Sequence, residues 1–97
     1  MTKQPLHPLT LEQMQQHIRN RYFESDNARG TSGTFMWFVE EVGELATALH
    51  KDDRENLSEE FADVLAWLST LANINDIDLT RAFRDKYLQD GGPPGHK

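Results

Sequence analysis

The chain has no cysteine. That excludes a disulfide framework and a thiolate metal site, and it leaves Glu, Asp and His as the only strong side-chain metal ligands, so oxygen ligation of a hard cation is the default. No stretch approaches the roughly 18 consecutive apolar residues of a membrane span, and the segment Met1 to Pro8 lacks the apolar centre of a signal peptide. A cytoplasmic location is the expectation. Basic residues are also scarce, with 10 Lys and Arg against 16 Asp and Glu and a net charge of −6. They form no cluster, which disfavours a binder of nucleic acid polymers, because phosphate backbones are held by grouped cations. A nucleotide ligand stays open, since a metal ion can mediate between protein carboxylates and substrate phosphates.

Internal repeats, low-complexity tracts and linkers are absent as well, so the 97 residues read as a single domain, 1–97, with loose ends at about 1–9 and 89–97. A unit of this size buries only about 60 to 65% of its unfolded surface, which makes oligomerisation plausible on stability grounds alone. The apolar fraction is a modest 37% and is concentrated between Phe35 and Leu71.

The patterning is helical throughout, and no segment reads as a strand. Thr10 followed by Gln13 is a capping-box pattern, and Leu11, Met14, Ile18 and Tyr22 recur at helical spacing after it. This first helix should fade before Gly30, with Gly30 and Gly33 breaking the pattern and a second helix running to about His50. There Phe35, Phe38, Val39, Val42, Leu45, Ala46 and Leu49 fall in a sector of roughly 100°, a core-facing stripe. Residues 51–54 form a polar turn. A third helix from about Arg54 or Glu55 to Ile74 is expected to bury Leu57, Phe61, Val64, Leu65, Leu68, Leu71 and Ala72, pairing antiparallel with the second. Asp78 can cap a short fourth helix carrying Leu79, Ala82, Phe83 and Tyr87, and the Gly-Gly-Pro-Pro-Gly run that follows ends ordered structure.

The second helix carries Glu40, Glu41 and Glu44, and the third carries Glu60 and Asp63. Both helices thus hold carboxylates at i, i+3, neighbours one turn apart. A turn centred near residue 52 puts Glu44 opposite Glu60 and Glu41 opposite Asp63, so four carboxylates form two facing rungs. Such a square could supply much of the oxygen shell of Mg²⁺ and leave positions for water and phosphate. Without a cation it is unfavourable, and the carboxyl pKa values should rise. The alternative is an ordinary solvated face, but the same side carries Trp37, Ala48, Ala62, Ala66 and Trp67, and large aromatics beside small residues suggest packing against another element or subunit. A di-iron bundle requires Glu-x-x-His, and position 63 is Asp. His50 suits the end of a helix, interacting with its dipole, and His7, His17 and His96 read as surface positions.

The pattern Glu40-Glu41-Val42-Gly43-Glu44 followed by Glu60-Phe61-Ala62-Asp63 resembles the MazG-like branch of the all-α nucleotide pyrophosphohydrolases, and the likeness extends over roughly residues 10 to 88. It implies hydrolysis of a nucleoside triphosphate to the monophosphate and pyrophosphate. It also implies Mg²⁺, with Mn²⁺ as a possible substitute, at the positions of Glu41, Glu44, Glu60 and Asp63. Glu40 or Glu41 would orient or deprotonate the attacking water. Lys86 matches a family lysine suited to phosphate contact, Arg29 stands just ahead of the metal helix, and Trp67 lies one turn after Asp63, where it could meet a nucleoside. Some family members have Asn four residues after that lysine, where this chain has Asp90. Short members generally form dimers or dimers of dimers, which implies a homodimer or homotetramer completing a four-helix active unit. Two alternatives stay open: a non-catalytic helical module that dimerises or binds a partner, and a hydrolase of another nucleotide phosphoanhydride.

Overall fold

Thr10 starts the first helix as its spacing from Gln13 predicts. In the computed structural model, which describes residues 8–95, the Gln13 amide donates to Thr10 Oγ1 at 3.0 Å and the Thr10 amide donates to Gln13 Oε1 at 2.9 Å. The capping box is complete and satisfies two amides that the helix itself cannot. From it α1 runs Leu11–Lys51, interrupted at Gly30, whose φ of 83° and ψ of 174° divide it into limbs 11–29 and 31–51. That backbone conformation is essentially confined to glycine. No atom lies within 4 Å of a Cβ built there, so the dihedral angle rather than crowding selects the residue. Gly33, also expected to break the helix, instead continues the second limb.

The polar turn falls where it was placed by the sequence. Asp52, in the left-handed region at φ 53°, ends α1 with its amide on the Ala48 carbonyl, and Asp53 accepts the Asn56 amide to start α2, Arg54–Ile74. Asp78 likewise caps α3, Leu79–Phe83, by accepting the Arg81 amide. The chain then passes through a π-helical turn, Arg84–Leu88, and a 3₁₀ turn, Gln89–Gly91. Among the described residues there is no strand, and the fold is all-α as expected. His7 and His96 lie outside the described residues.

The second limb of α1 and α2 form the expected hairpin, and the first limb lies across the C-terminal half of α2. Polar side chains make that crossing. Gln15 Nε2 donates to Asn73 Oδ1 at 2.9 Å and to the Ile77 carbonyl at 2.7 Å, while its Oε1 accepts the Leu79 amide at 2.9 Å. One side chain thereby ties the first limb to α2, to the turn after it and to the start of α3, and every polar atom of its amide has a partner, as burial demands.

The interior differs from the one expected. Gln15, Asp26, Thr34, Ser69, Thr70 and Asn73 are buried, whereas Ala48, Leu57 and Ala72 are the only buried hydrophobic residues among those described. Most of the two stripes expected to face the core stands open: Phe35 is 52% exposed, Phe61 53% and Leu65 43%, with Val39, Val42, Leu49 and Leu68 similar. The reason is positional. The first limb is tied to α2 through Thr70 and Asn73, which helical periodicity turns away from Phe61, Leu65 and Leu68, and α3 is too short to cover what remains. The accessible surface is 7980 Å², against about 5,700 Å² for a compact monomer of this mass.

Candidate metal centre

Two short structural facts bring the carboxylates together. The tight turn at residues 52 and 53 sets the register of the hairpin, and i, i+3 spacing stacks Glu60 over Asp63 on α2. As a result Glu41, Glu60 and Asp63 each offer a carboxylate oxygen, all within 4.8 Å of one another. Among the described residues no other group of three or more His, Asp or Glu meets this condition, and His17 and His50 stand exposed away from it. Glu44, the fourth member of the expected square, lies outside the trio, but its nearby carboxylate raises both Glu41 and Glu60.

The electrostatics follow from that crowding. Removal from water, followed by the nearness of the Glu44, Asp63 and Glu60 carboxylates, pushes Glu41 from 4.5 up to about 7. Glu60 is raised as well, first by loss of solvent and then by Glu44 and Asp63. One oxygen of each, Glu41 Oε2 and Glu60 Oε2, is buried without a hydrogen-bond partner. An acceptor closed to water and left unmatched is unfavourable. Two such oxygens beside a third carboxylate are what a hard divalent cation would satisfy, so the donor set fits Mg²⁺ or Mn²⁺.

Asp63 also lines a cavity of about 400 Å³ between the first limb of α1 and α2, together with Asp26, Arg29, Trp67 and Thr70. Arg29 stands with its guanidinium carbon 5.1 Å from the Trp67 ring centre, and Trp67 stacks on Trp37 at 6.2 Å. Arg29, Trp67 and a carboxylate of the trio are therefore brought to one place. Lys86 is not: it is exposed on the π-helical turn, with its Nζ 5.6 Å from the Tyr87 ring, and lines a separate groove with Leu65, Leu68 and Phe83. Glu40 is exposed, next in sequence to Glu41.

Asp26 was not among the residues singled out by sequence, yet it is nearly closed to solvent and is shared by Arg29 and Thr70. A carboxylate three residues before an arginine on a helix is a common surface pair. Only the crossing of the first limb over α2 buries this one.

A consequence for pH can be read from the Glu41 shift. Its folded pKa of about 7 lies above the ordinary value of 4.5, so the folded chain keeps protons that the unfolded chain gives up. That contribution to stability is full below the unfolded value and is lost as pH rises through the folded one. With EDTA present, the melting temperature is expected to fall between about pH 5 and about pH 8, and saturating Mg²⁺ at the upper pH should restore it by several degrees through binding to the folded state. A pH profile that is flat in EDTA and indifferent to Mg²⁺ would show that the carboxylates are not coupled.

Comparison with known proteins supplies the remaining finding. The MazG nucleotide pyrophosphohydrolase domain matches residues 30–87, a stretch that begins at the Gly30 kink and holds all four acidic positions, while the first limb of α1 lies before it. A search of curated proteins found no match. The match spans more than half of the chain and coincides with the hairpin that carries the carboxylate trio, and on that ground the chain belongs to the MazG nucleotide pyrophosphohydrolase domain family.

Proposed function

We propose that this chain hydrolyses nucleoside triphosphates, ribo or deoxyribo, to the monophosphate and pyrophosphate, and that it does so with Mg²⁺. The observation that carries the reading is the trio of carboxylate oxygens within 4.8 Å, two of whose residues hold a buried oxygen without a partner, in a chain of this family. Glu41, Glu60 and Asp63 would hold the ion, with Glu44 one turn from Glu41 as the fourth donor. When bound, the ion would polarise the phosphoryl oxygens, offset the charge of the departing pyrophosphate and acidify a water.

The chain's own groups account for the rest. Water oxygen bonds to the first phosphorus, the bond from that phosphorus to the bridging oxygen breaks, and pyrophosphate carries the bridging oxygen away. The water's proton passes to a carboxylate oxygen of Glu40 or Glu41. Glu40 stands outside the trio and is the better placed of the two to remain a free base. Arg29 shares the Asp63 cavity and is favoured over Lys86 as the phosphate contact, and Trp67 offers an aromatic surface to the nucleoside. No helix among the described residues is long and apolar enough to cross a membrane, and we place the protein in the cytoplasm.

Chromatography of the products formed from a panel of ribo- and deoxyribonucleoside triphosphates with Mg²⁺ tests the reaction. Monophosphate and pyrophosphate are expected, with Glu41→Gln lowering kcat by roughly a hundredfold or more, as for loss of a principal electrostatic contact. Absence of cleavage with either Mg²⁺ or Mn²⁺ would defeat the assignment.

The open apolar stripes support assembly with further copies, as a homodimer or a homotetramer. Phe35, Val39, Phe61 and Leu65 stand about half exposed on these stripes, and a symmetric interface would cover them. Sedimentation equilibrium should give a dimer or tetramer for the native chain and a shift toward monomer for Phe61→Asp. A native chain that sediments as a monomer would contradict this reading.

A further inference from the structure

We propose that Asp26 is a positioning residue, which sets the Arg29 guanidinium as a fixed phosphate-binding cation at the rim of the Asp63 cavity. The inference rests on the reading of the site as a nucleotide hydrolase and adds to it a device that lies in the first limb of α1, before the family-matched stretch 30–87.

Asp26 is 4% exposed, and a carboxylate so far from water must be paired and hydrogen-bonded. Arg29 Nη1 donates to its Oδ1 at 3.2 Å, and Thr70 Oγ1, from α2, donates to its Oδ2 at 3.1 Å. The same Arg29 Nη1 donates to Thr34 Oγ1 at 3.2 Å, and Thr34 is fully buried on the second limb. Both hydrogens of that nitrogen are thereby committed to three elements: the first limb, the second limb and, through Asp26, α2. Nε and Nη2 make no hydrogen bond to the described residues, and the group as a whole lines the cavity that Asp63 shares.

A purely structural ion pair would be expected to use the guanidinium fork, with two nitrogens on two carboxylate oxygens. Here one nitrogen alone anchors the group, and the other donors are left for a ligand. Phosphate oxygens, negatively charged and suited to paired N–H donors, are the chemistry that this free edge recognises. Trp67, 5.1 Å away, adds an aromatic ring against the cation.

Gly33 fits the same picture. It lies inside the helical second limb, where glycine is disfavoured by about 0.5–1 kcal/mol relative to alanine. A Cβ there would come within 3.0 Å of Arg29 Cγ. The missing side chain leaves room for the arginine stem, which gives a reason for a glycine that does not break the helix.

The experiment is steady-state kinetics on a nucleoside triphosphate with Mg²⁺ for the native chain, Asp26→Asn, Arg29→Gln, the double variant and Gly33→Ala, each with its melting temperature. Arg29 holds phosphate in both ground and transition states, so Asp26→Asn and Arg29→Gln should each raise KM by about tenfold and change kcat far less. The double variant should be no worse than Arg29→Gln alone, because the two residues act through one group. Gly33→Ala should raise KM several-fold without a lower melting temperature, an outcome that loss of structure cannot mimic and that stands even if Asp26→Asn fails to fold. The inference is overturned if a native chain that cleaves triphosphates shows unchanged KM in Gly33→Ala and Asp26→Asn, or if the Asp26 and Arg29 effects multiply. A native chain that cleaves no triphosphate would instead overturn the reading of the site, and this inference with it.

Discussion

Three carboxylates within 4.8 Å of one another across a helical hairpin repel each other, and the register of the hairpin is what brings them together. The turn at Asp52 and Asp53 allows no slip in register, and the helices that carry Glu41 and Glu60 bury one oxygen of each without a partner. Loss of solvent first, and then the neighbouring carboxylates, raise Glu41 to about 7, and protonation relieves part of that strain. A divalent cation relieves it more fully, because it supplies charge and coordination to several oxygens at once. Under the proposed function, the stability and the chemistry of the hairpin would depend on the same ion.

The scaffold around that site inverts the usual distribution of residue types. Hydrogen bonds through Gln15, Asp26, Thr70 and Asn73 fasten the first limb of α1 to α2, while the apolar stripes of the hairpin remain uncovered. Polar contacts are directional and specify one crossing geometry. That matters for a cavity formed between the first limb and α2, since Arg29 and Asp63 enter it from different elements. Burial of apolar surface is non-directional, and the stripes of the hairpin impose no such geometry.

Local structure was legible in the sequence wherever a few neighbouring residues decide it. The Thr10 capping box, the turn at residues 52 and 53, the Asp78 cap and the pairing of Glu41 with Asp63 all follow from short-range spacing, and each is present. Periodicity marks the apolar stripes but not whether they are covered, because a stripe packed in a core and one left open have the same spacing. Glycine weakens helices, so sequence alone makes Gly33 a second helix break, and only the path of the Arg29 side chain gives it a different reason to be there. Asp26 escaped notice for a similar cause. Its burial comes from Thr70, 44 positions away in sequence, and no local pattern encodes that contact.

The central claim is that Glu41, Glu60 and Asp63 together hold a divalent ion. Crystals grown with Mn²⁺ and measured near the manganese absorption edge test it directly. The account predicts an anomalous difference peak between the two helices of the hairpin, in contact with carboxylate oxygens from all three residues. Carboxylates that instead share protons with one another, with no peak between them, would contradict it.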